Sequence, residues 1–402
     1  MANRYLQHDS PWLLALLAAM VALGPLSVDM YLPAMPAMMV ALGTDISSMH
    51  LTLSSYLAGF ALFHLACGPL ADRFGRKPIL LGGTILFIIA CLGCSQADTV
   101  SELLLFRFLQ GIGACVGPTL ARTVARDIYG PTEVARALSL IAMLMTLAPA
   151  VAPTLGGVML LVLPWPSIFV FLACYGAVTV LLIHRLLPES LPQVQSLRPW
   201  NIARNYGELF VDPFFLSVTT ASGLVYAGLI AYLSSSSFIY INMLGVPVEY
   251  FGLLFLSSVV GYMLGSALSA RLSRHYDSEQ IMRSGVIMGM GASSIVLAAV
   301  YLLPHSVVAI MLPMSLYSVA MGLVLPHAMA IALRPFAHIA GTASSLLGFI
   351  QMSLSALASA LVGMALKTTA LPMAWVLVLI SLAALMLGMR AFKLYRHAQP
   401  TA

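Results

Sequence analysis

Charged positions along the chain occur mostly in short groups, and long, almost uncharged apolar runs lie between them. The runs cover residues 12–40, 50–71, 78–96, 101–121, 137–162, 167–184, 213–238, 250–270, 281–303, 306–333, 339–366 and 372–390. A helix needs about 20 apolar residues to cross the hydrocarbon core of a bilayer, so each run predicts one membrane-spanning helix. Two uncharged stretches are long enough for two spans each. Residues 137–183 break at Pro164-Trp165-Pro166, and residues 284–333 break at Pro304-His305, because proline interrupts a helix. The fold class expected is therefore an all-α membrane protein of twelve transmembrane helices.

Composition sharpens this. Of 402 residues, 60% are hydrophobic and 8% are charged, against about 25% charged in an average soluble protein. The mean hydropathy is +0.97. No water-soluble fold of this size hides so much apolar surface, which excludes a soluble enzyme, a disordered chain and a nucleic-acid binder. Twelve spans use about 240 residues and leave no room for a soluble domain. The five cysteines (Cys67, Cys91, Cys94, Cys115 and Cys174) all sit in apolar runs and read as inert small hydrophobes. No metal ligand set and no cofactor motif is found.

The net charge of +5 reflects topology more than a binding patch. Numbering from a cytoplasmic N-terminus, the loops on one side carry Arg73, Arg76 and Lys77; Arg122, Arg126 and Arg136; Arg185, Arg198 and Arg204; Arg271, Arg274 and Arg283; Arg334; and the tail residues Arg390, Lys393 and Arg396. The other side carries Lys367, and Arg107 falls inside a span. Lys and Arg concentrate in cytoplasmic loops, so both termini are expected in the cytoplasm of a bacterial cell, with the spans in its inner membrane. Arg4 is the only basic residue before Trp12, and the following run continues past Asp29 with no small-x-small cleavage site. It reads as the first span, not as a signal peptide. The polar stretch near 185–212 divides the chain into an N-terminal six-helix half (1–185), a cytoplasmic linker (186–211) and a C-terminal six-helix half (212–402). A weak repeat supports duplication: Leu70-Ala-Asp-Arg-Phe-Gly-Arg-Lys77 follows span two, and Leu268-Ser-Ala-Arg-Leu-Ser-Arg-His275 follows span eight.

Several strings carry a family likeness. Gly68-Pro-Leu-Ala-Asp72-Arg73-Phe-Gly75-Arg76-Lys77 resembles the G-x-L-a-D-R-x-G-R-K loop of the major facilitator superfamily. Gly75 permits a tight reversal, and Asp72 can accept from a helix N-terminus or a nearby Arg as a latch. Arg107-Phe-Leu-Gln110-Gly111-Ile-Gly113 resembles the R-x-x-Q-G-x-g segment of its proton-coupled exporters. Ala152-Pro153-Thr-Leu-Gly156-Gly157 resembles their G-P-x-x-G-G signature, with Ala152 in place of the first Gly. Its small face, like Gly261 and Gly265 of span eight, reads either as plain packing or as a pivot where the two halves approach. Asp29-Met-Tyr31-Leu-Pro33, Leu333-Arg334-Pro335-Phe336 and Pro188-Glu189-Ser190-Leu191 resemble the bicyclomycin-resistance and phenicol-exporter branch of the drug:proton antiporters.

The resemblance implies a secondary transporter of the major facilitator fold that exports small amphipathic compounds in exchange for protons. Substrate is expected near mid-membrane between the halves. The partners expected are lipid, a small-molecule substrate and protons, with no nucleic acid, and the monomer is expected to be the working unit. Asp29 is the only acidic residue well inside a span, and a lone carboxyl there can gain and lose a proton. Pro33 and Pro36 leave open that it caps span one at the membrane edge. Arg107, costly at mid-depth, either faces a wet cavity or a partner, or snorkels outward; in the first case it tunes Asp29. Tyr31, Tyr56, Gln110, Tyr232 and Gln351 are candidates to line the substrate cavity, with His64, Tyr226, Tyr240 and His327 as weaker ones. Gly68, Asp72, Arg73, Gly75 and Arg76 form the expected cytoplasmic gating loop, and Pro153, Gly156 and Gly157 the expected pivot. The near alternative is a symporter, or a dedicated exporter of a metabolite or siderophore, on the same fold. A membrane enzyme would need converging nucleophiles or metal ligands, and no such motif is found.

Overall fold

The structure is a computed structural model that describes residues 11–129, 134–191 and 199–398. Arg4, Arg198, the side chain of Arg136 and both chain ends lie outside the described residues. Among the described residues all regular structure is helical. Among the described residues eleven helices are long and apolar enough to cross a membrane. The helix Val134–Val162 (α6), apolar over Leu147–Val162, is the twelfth.

Span one is not a single rod. Helix α1 (Pro11–Asp29) ends at Asp29 and is followed by a 3-10 turn at Leu32–Ala34 and a short helix α2 (Met35–Ala41). The sequence explains the break. Pro33 has no N–H for the Asp29 carbonyl, and Pro36 has none for Leu32. Irregular backbone at membrane depth is tolerated only where protein covers it, and Met30 to Pro36 are all buried. Asp29 therefore does mark a helix end, yet the chain beyond it stays inside the protein and completes the span.

The remaining helices are α3 (Ile46–Phe74), α4 (Arg76–Ser95), α5 (Val100–Ile128), α7 (Pro166–Leu186), α8 (Pro199–Val211), α9 (Pro213–Ser237), α10 (Phe251–Leu272), α11 (Ser278–Leu302), α12 (Val307–Leu333), α13 (Ala340–Ala365) and α14 (Leu371–Ala398). Several depart from the apolar runs. Helix α5 opens with a capping box between Thr99 and Glu102 and continues to Ile128, so Arg122 and Arg126 sit on helix, not in a loop. Its 29 residues make about 43 Å of helix against about 30 Å of hydrocarbon, which lets the last turns project into the polar zone. Helix α8 lies in the stretch read as linker. Helix α9 runs on into a π-helical turn at Phe238–Met243.

Contacts divide the chain into two units: residues 1–44 with 55–198, and residues 45–54 with 199–402. The linker thus divides near 198, and the first turns of α3 group with the second unit. Each unit repeats one pairing scheme. Helix α4 packs on α5 and α7, as α11 packs on α12 and α14. Helix α1 packs on α5 and α6, as α9 packs on α12 and α13.

Glycines make these approaches possible, because without hydrophobic drive between helices in lipid, close backbone contact holds them together. Helix α5 presents glycine in three directions. Gly111 meets the Tyr56 carbonyl of α3, Gly113 faces α4, and Gly117 meets the Met20 carbonyl of α1. A Cβ at Gly113 would fall 2.6 Å from the Gly83 carbonyl oxygen. Gly156 of α6 rests on the broken segment, where a Cβ would fall 2.5 Å from the Met30 carbonyl oxygen. Gly261 and Gly265 of α10 rest on Ser315 and Val319 of α12. Gly156, Gly261 and Gly265, read either as packing or as a pivot, thus make close helix contacts inside their own units.

Gly111→Ala is expected to lower stability by about 1–3 kcal/mol, the usual cost of overpacking. Gly82→Ala, where a Cβ meets nothing within 4 Å, is expected to be neutral or to gain up to about 1 kcal/mol from helix propensity. Thermal unfolding of the purified protein in detergent separates the two, and equal shifts would contradict the close α3–α5 approach.

Candidate functional site

The first site is built around Arg107. It lies on the third turn of α5 and is fully buried. Its guanidinium carbon sits 4.3 Å from the centroid of the Tyr31 ring and 4.5 Å from that of Tyr56. Such stacking is favourable for a desolvated guanidinium. In its plane, Nη1 donates to the Ser27 carbonyl at 3.2 Å and to Gln110 Oε1 at 2.6 Å. Gln110 in turn donates from Nε2 to Cys91 Sγ at 3.1 Å, so Cys91 is an acceptor as well as a packing group. Nε and Nη2 of Arg107 are buried with no hydrogen-bond partner.

Asp29 is two residues beyond Ser27 and 5% exposed. Among the described residues no ion pair joins it to Arg107. The guanidinium is held instead by two rings and a carbonyl on the turn of α1 that carries Asp29. Tyr31 and Tyr56, expected to line a cavity, are walls of the arginine's own slot. Tyr56 also donates its hydroxyl to the Gly24 carbonyl at 3.3 Å.

The second site is the α3–α4 turn. Gly75 is the residue before α4 and has φ +102°, a conformation that L side chains avoid. With no side chain it cannot cap the helix itself. Glu189 does so from 113 residues away, accepting from Arg76 N at 2.9 Å and Lys77 N at 3.2 Å. A carboxylate at a helix N-terminus satisfies orphan N–H groups and opposes the helix dipole. A Cβ at Gly75 would fall 2.6 Å from Glu189 Oε2, so glycine is required twice over. The Arg76 side chain pairs with Asp72 through Nη1. Its Nε donates to Asp127 Oδ2 at 3.1 Å, and Ser190 Oγ donates to the same oxygen at 3.3 Å. Of the two partners open to Asp72, a helix N-terminus or an arginine, it takes the arginine, and Glu189 takes the N-terminus. Arg73 points outward and Gly68 lies within α3 beside Pro69.

The second copy of this string works differently. Arg271 and Arg274 are exposed. The corresponding helix pair is joined by Glu279, in the first turn of α11, and Arg334, at the end of α12, at 3.4 Å. Acid and base have exchanged helices relative to Arg76 and Asp127.

The other expected residues are dispersed. Tyr232 and Tyr240 share a hydroxyl–hydroxyl hydrogen bond of 3.0 Å beside the π-helical turn. Gln351 is half-buried on α13, its backbone against Gly223. Pro153, Gly156 and Gly157 are buried in α6. Sequence reading does not single out Asp127, and it meets Glu189 only within a family string. The signals that could have found them are a single acid beside the Arg122/Arg126 pair and a carboxylate directly after span six.

The family model described as Major Facilitator Superfamily matches residues 17–360. An uncharacterized MFS-type transporter, YdgK, of Bacillus subtilis is 34% identical over 368 residues, covering 90% of each chain. A bicyclomycin resistance protein homolog of Haemophilus influenzae is 29% identical over 363 residues, 87% of this chain and 88% of that one. The multidrug resistance protein MdtL of Shigella dysenteriae is 32% identical over 340 residues, 84% and 85% respectively. Among solved structures, a bacterial homolog of the human lysosomal transporter Spinster superposes with a TM-score of 0.76 at 17% identity, over 97% of this chain and 98% of that one. A mutant form of the nucleoside transporter NupG superposes at 0.76 with 15% identity, over 95% and 99%. The chain belongs to the major facilitator superfamily, a family of multi-pass membrane transporters, and its relatives include the bicyclomycin-resistance branch that its D-x-Y-L-P string resembles.

Proposed function

We propose that this protein is a proton-coupled antiporter that exports small amphipathic compounds across the bacterial inner membrane, acting as a monomer with both termini in the cytoplasm. The relatives named for bicyclomycin and multidrug resistance support the cargo class. The one-sided placement of Lys and Arg supports the orientation. The observation that carries the coupling is the pair of separated buried groups in the first unit: a carboxyl with no ion-pair partner among the described residues, next to an arginine whose Nε and Nη2 donate to nothing.

An ionised Asp29 in this geometry is an unpaired charge out of water, which is costly. A protonated Asp29 is not. The proton therefore belongs with this arrangement. Its release favours another arrangement, in which the carboxylate finds water or the free Nε and Nη2 of Arg107. Cargo that binds better to the deprotonated form competes with the proton, and this difference in affinity drives exchange. The Asp72–Arg76–Asp127 cluster and the Glu189 cap act in the conformational step.

Asp29→Asn is expected to abolish proton-driven uptake into everted vesicles while leaving a folded protein that still binds cargo. Undiminished coupled transport in the mutant would remove Asp29 from the mechanism.

Asp127→Asn and Gly75→Val are expected to slow turnover about tenfold, equivalent to about 1.4 kcal/mol, with cargo affinity unchanged. A large change in the binding constant at constant turnover would contradict a gating role.

The deep charges, one Asp and one Arg, sum to zero or to +1, so neutral cargo is expected over dications. One proton entering per neutral molecule leaving moves one positive charge inward. Membrane potential should then drive export at equal pH, with about 2.3 kcal/mol per 100 mV. A potassium-diffusion potential imposed on proteoliposomes tests this, and transport of neutral cargo that ignores the potential would refute one-for-one exchange.

A further inference from the structure

We propose that His50 is a second proton-binding site, whose neutral imidazole holds the first turns of α3 on α13 and whose protonation releases them. His50 is fully buried and lies in the segment that groups with the second unit. Its Nδ1 is 3.1 Å from the Ser359 carbonyl oxygen. A carbonyl only accepts, so Nδ1 carries the proton and Nε2 carries a lone pair. Nε2 is buried and meets no partner.

Two neighbours pack on the side chain. Phe238, at the start of the π-helical turn, stacks on it at 5.7 Å and 23°. Gly363 supports it from α13, where a Cβ would fall 2.6 Å from His50 Cγ. The backbone is also held. The His50 carbonyl accepts from Ser54 Oγ at 3.0 Å and from Ser359 Oγ at 3.5 Å.

A proton added to Nε2 would create a cation with a buried N–H that has no acceptor, and no acidic group of the elements packed on it offsets the charge. Helix α13 contains no Asp, Glu, Lys, Arg or His, and neither do α9 and its π-helical turn. Their titratable groups are Tyr226, Tyr232 and Tyr240, the last two hydrogen-bonded to each other. On α3 itself, His64, Asp72 and Arg73 are more than three turns away. Asp45 is committed to Ser48, whose hydrogen bonds hold its carboxyl below the ordinary value. The dipole of α13 helps little, because Ser359 is six residues before its end and that effect is confined to the last turn. Protonation thus favours a state in which His50 has left this platform for water.

The test uses the full chain in lipid nanodiscs. Amide exchange of residues 45–54 and 359–366 is followed from pH 8 to 5.5, corrected for intrinsic rates, in wild type, Asp29→Asn, His50→Gln and Gly363→Ala. Gln keeps a donor for Ser359 but takes no proton. Wild type and Asp29→Asn are expected to lose about tenfold in protection on acidification, His50→Gln to stay protected throughout, and Gly363→Ala to be unprotected at both ends. Imidazole ¹⁵N spectra, assigned to His50 by difference against His50→Gln, are expected to show the Nδ1–H tautomer at pH 8. Wild-type protection that ignores pH, a wild-type pH response in His50→Gln, loss of protection in His50→Gln at every pH, or an Nε2–H ring would each overturn the proposal. Neither readout involves transport, and the Asp29→Asn arm separates this site from coupling at Asp29.

Discussion

A guanidinium that lipid cannot solvate organises the first unit. Placing an arginine at mid-depth costs about 2.5–3.5 kcal/mol on the mildest insertion scale. Among the described residues no carboxylate meets that cost by pairing with Arg107. The protein instead surrounds it with two tyrosine rings, a carbonyl of α1 and the amide of Gln110. This solution needs α1, α3 and α4 to come very near α5, and Gly111, Gly113 and Gly117 permit it from one helix in three directions. The R-x-x-Q-G-x-G spacing is thus one device: a charge, its amide partner, and the glycines that bring its other partners within reach. Nε and Nη2 of Arg107 donate to nothing.

The α3–α4 turn solves a different problem. Its chain reversal needs a positive φ at Gly75, and the residue that satisfies this has no side chain to cap the next helix. Arg76 and Lys77 then stand at a helix N-terminus, the unfavourable end for cations. Glu189, Asp72 and Asp127 together correct this. The second unit has no such conflict, because Glu279 begins a helix and Arg334 ends one. The same inter-helix tie is therefore built with the dipoles in one unit and against them in the other. The tie that opposes the dipoles depends on more partners.

Both units interrupt a span where polar groups gather. Helix α1 ends at Asp29 before a proline-driven 3-10 turn, and α9 passes into a π-helical turn beside the Tyr232–Tyr240 pair and the ring of His50. Such interruptions leave backbone groups unsatisfied by the helix itself, and in a bilayer they persist only inside protein.

Hydropathy and proline placement dictate the architecture without help from tertiary structure. Twelve apolar runs, one-sided arginines and proline breaks give twelve helices and their order, because a bilayer leaves a spanning backbone few alternatives. The unusual chemistry is legible too, since a charge within a lipid span stands out: Asp29 and Arg107 are visible as soon as the runs are drawn. Which groups those charges meet is not. Depth leaves open whether Arg107 faces a cavity, a partner or the membrane edge, and the fold gives it Tyr31, Tyr56, Ser27 and Gln110. Glu189 and Asp127 reach Arg76 from 113 and 51 residues away, and His50 meets Ser359 across 309. No local pattern records such distances. Periodicity and hydropathy are properties of a segment and its solvent, whereas these pairings depend on which helix faces which, and that is set only when the backbones close on their glycines.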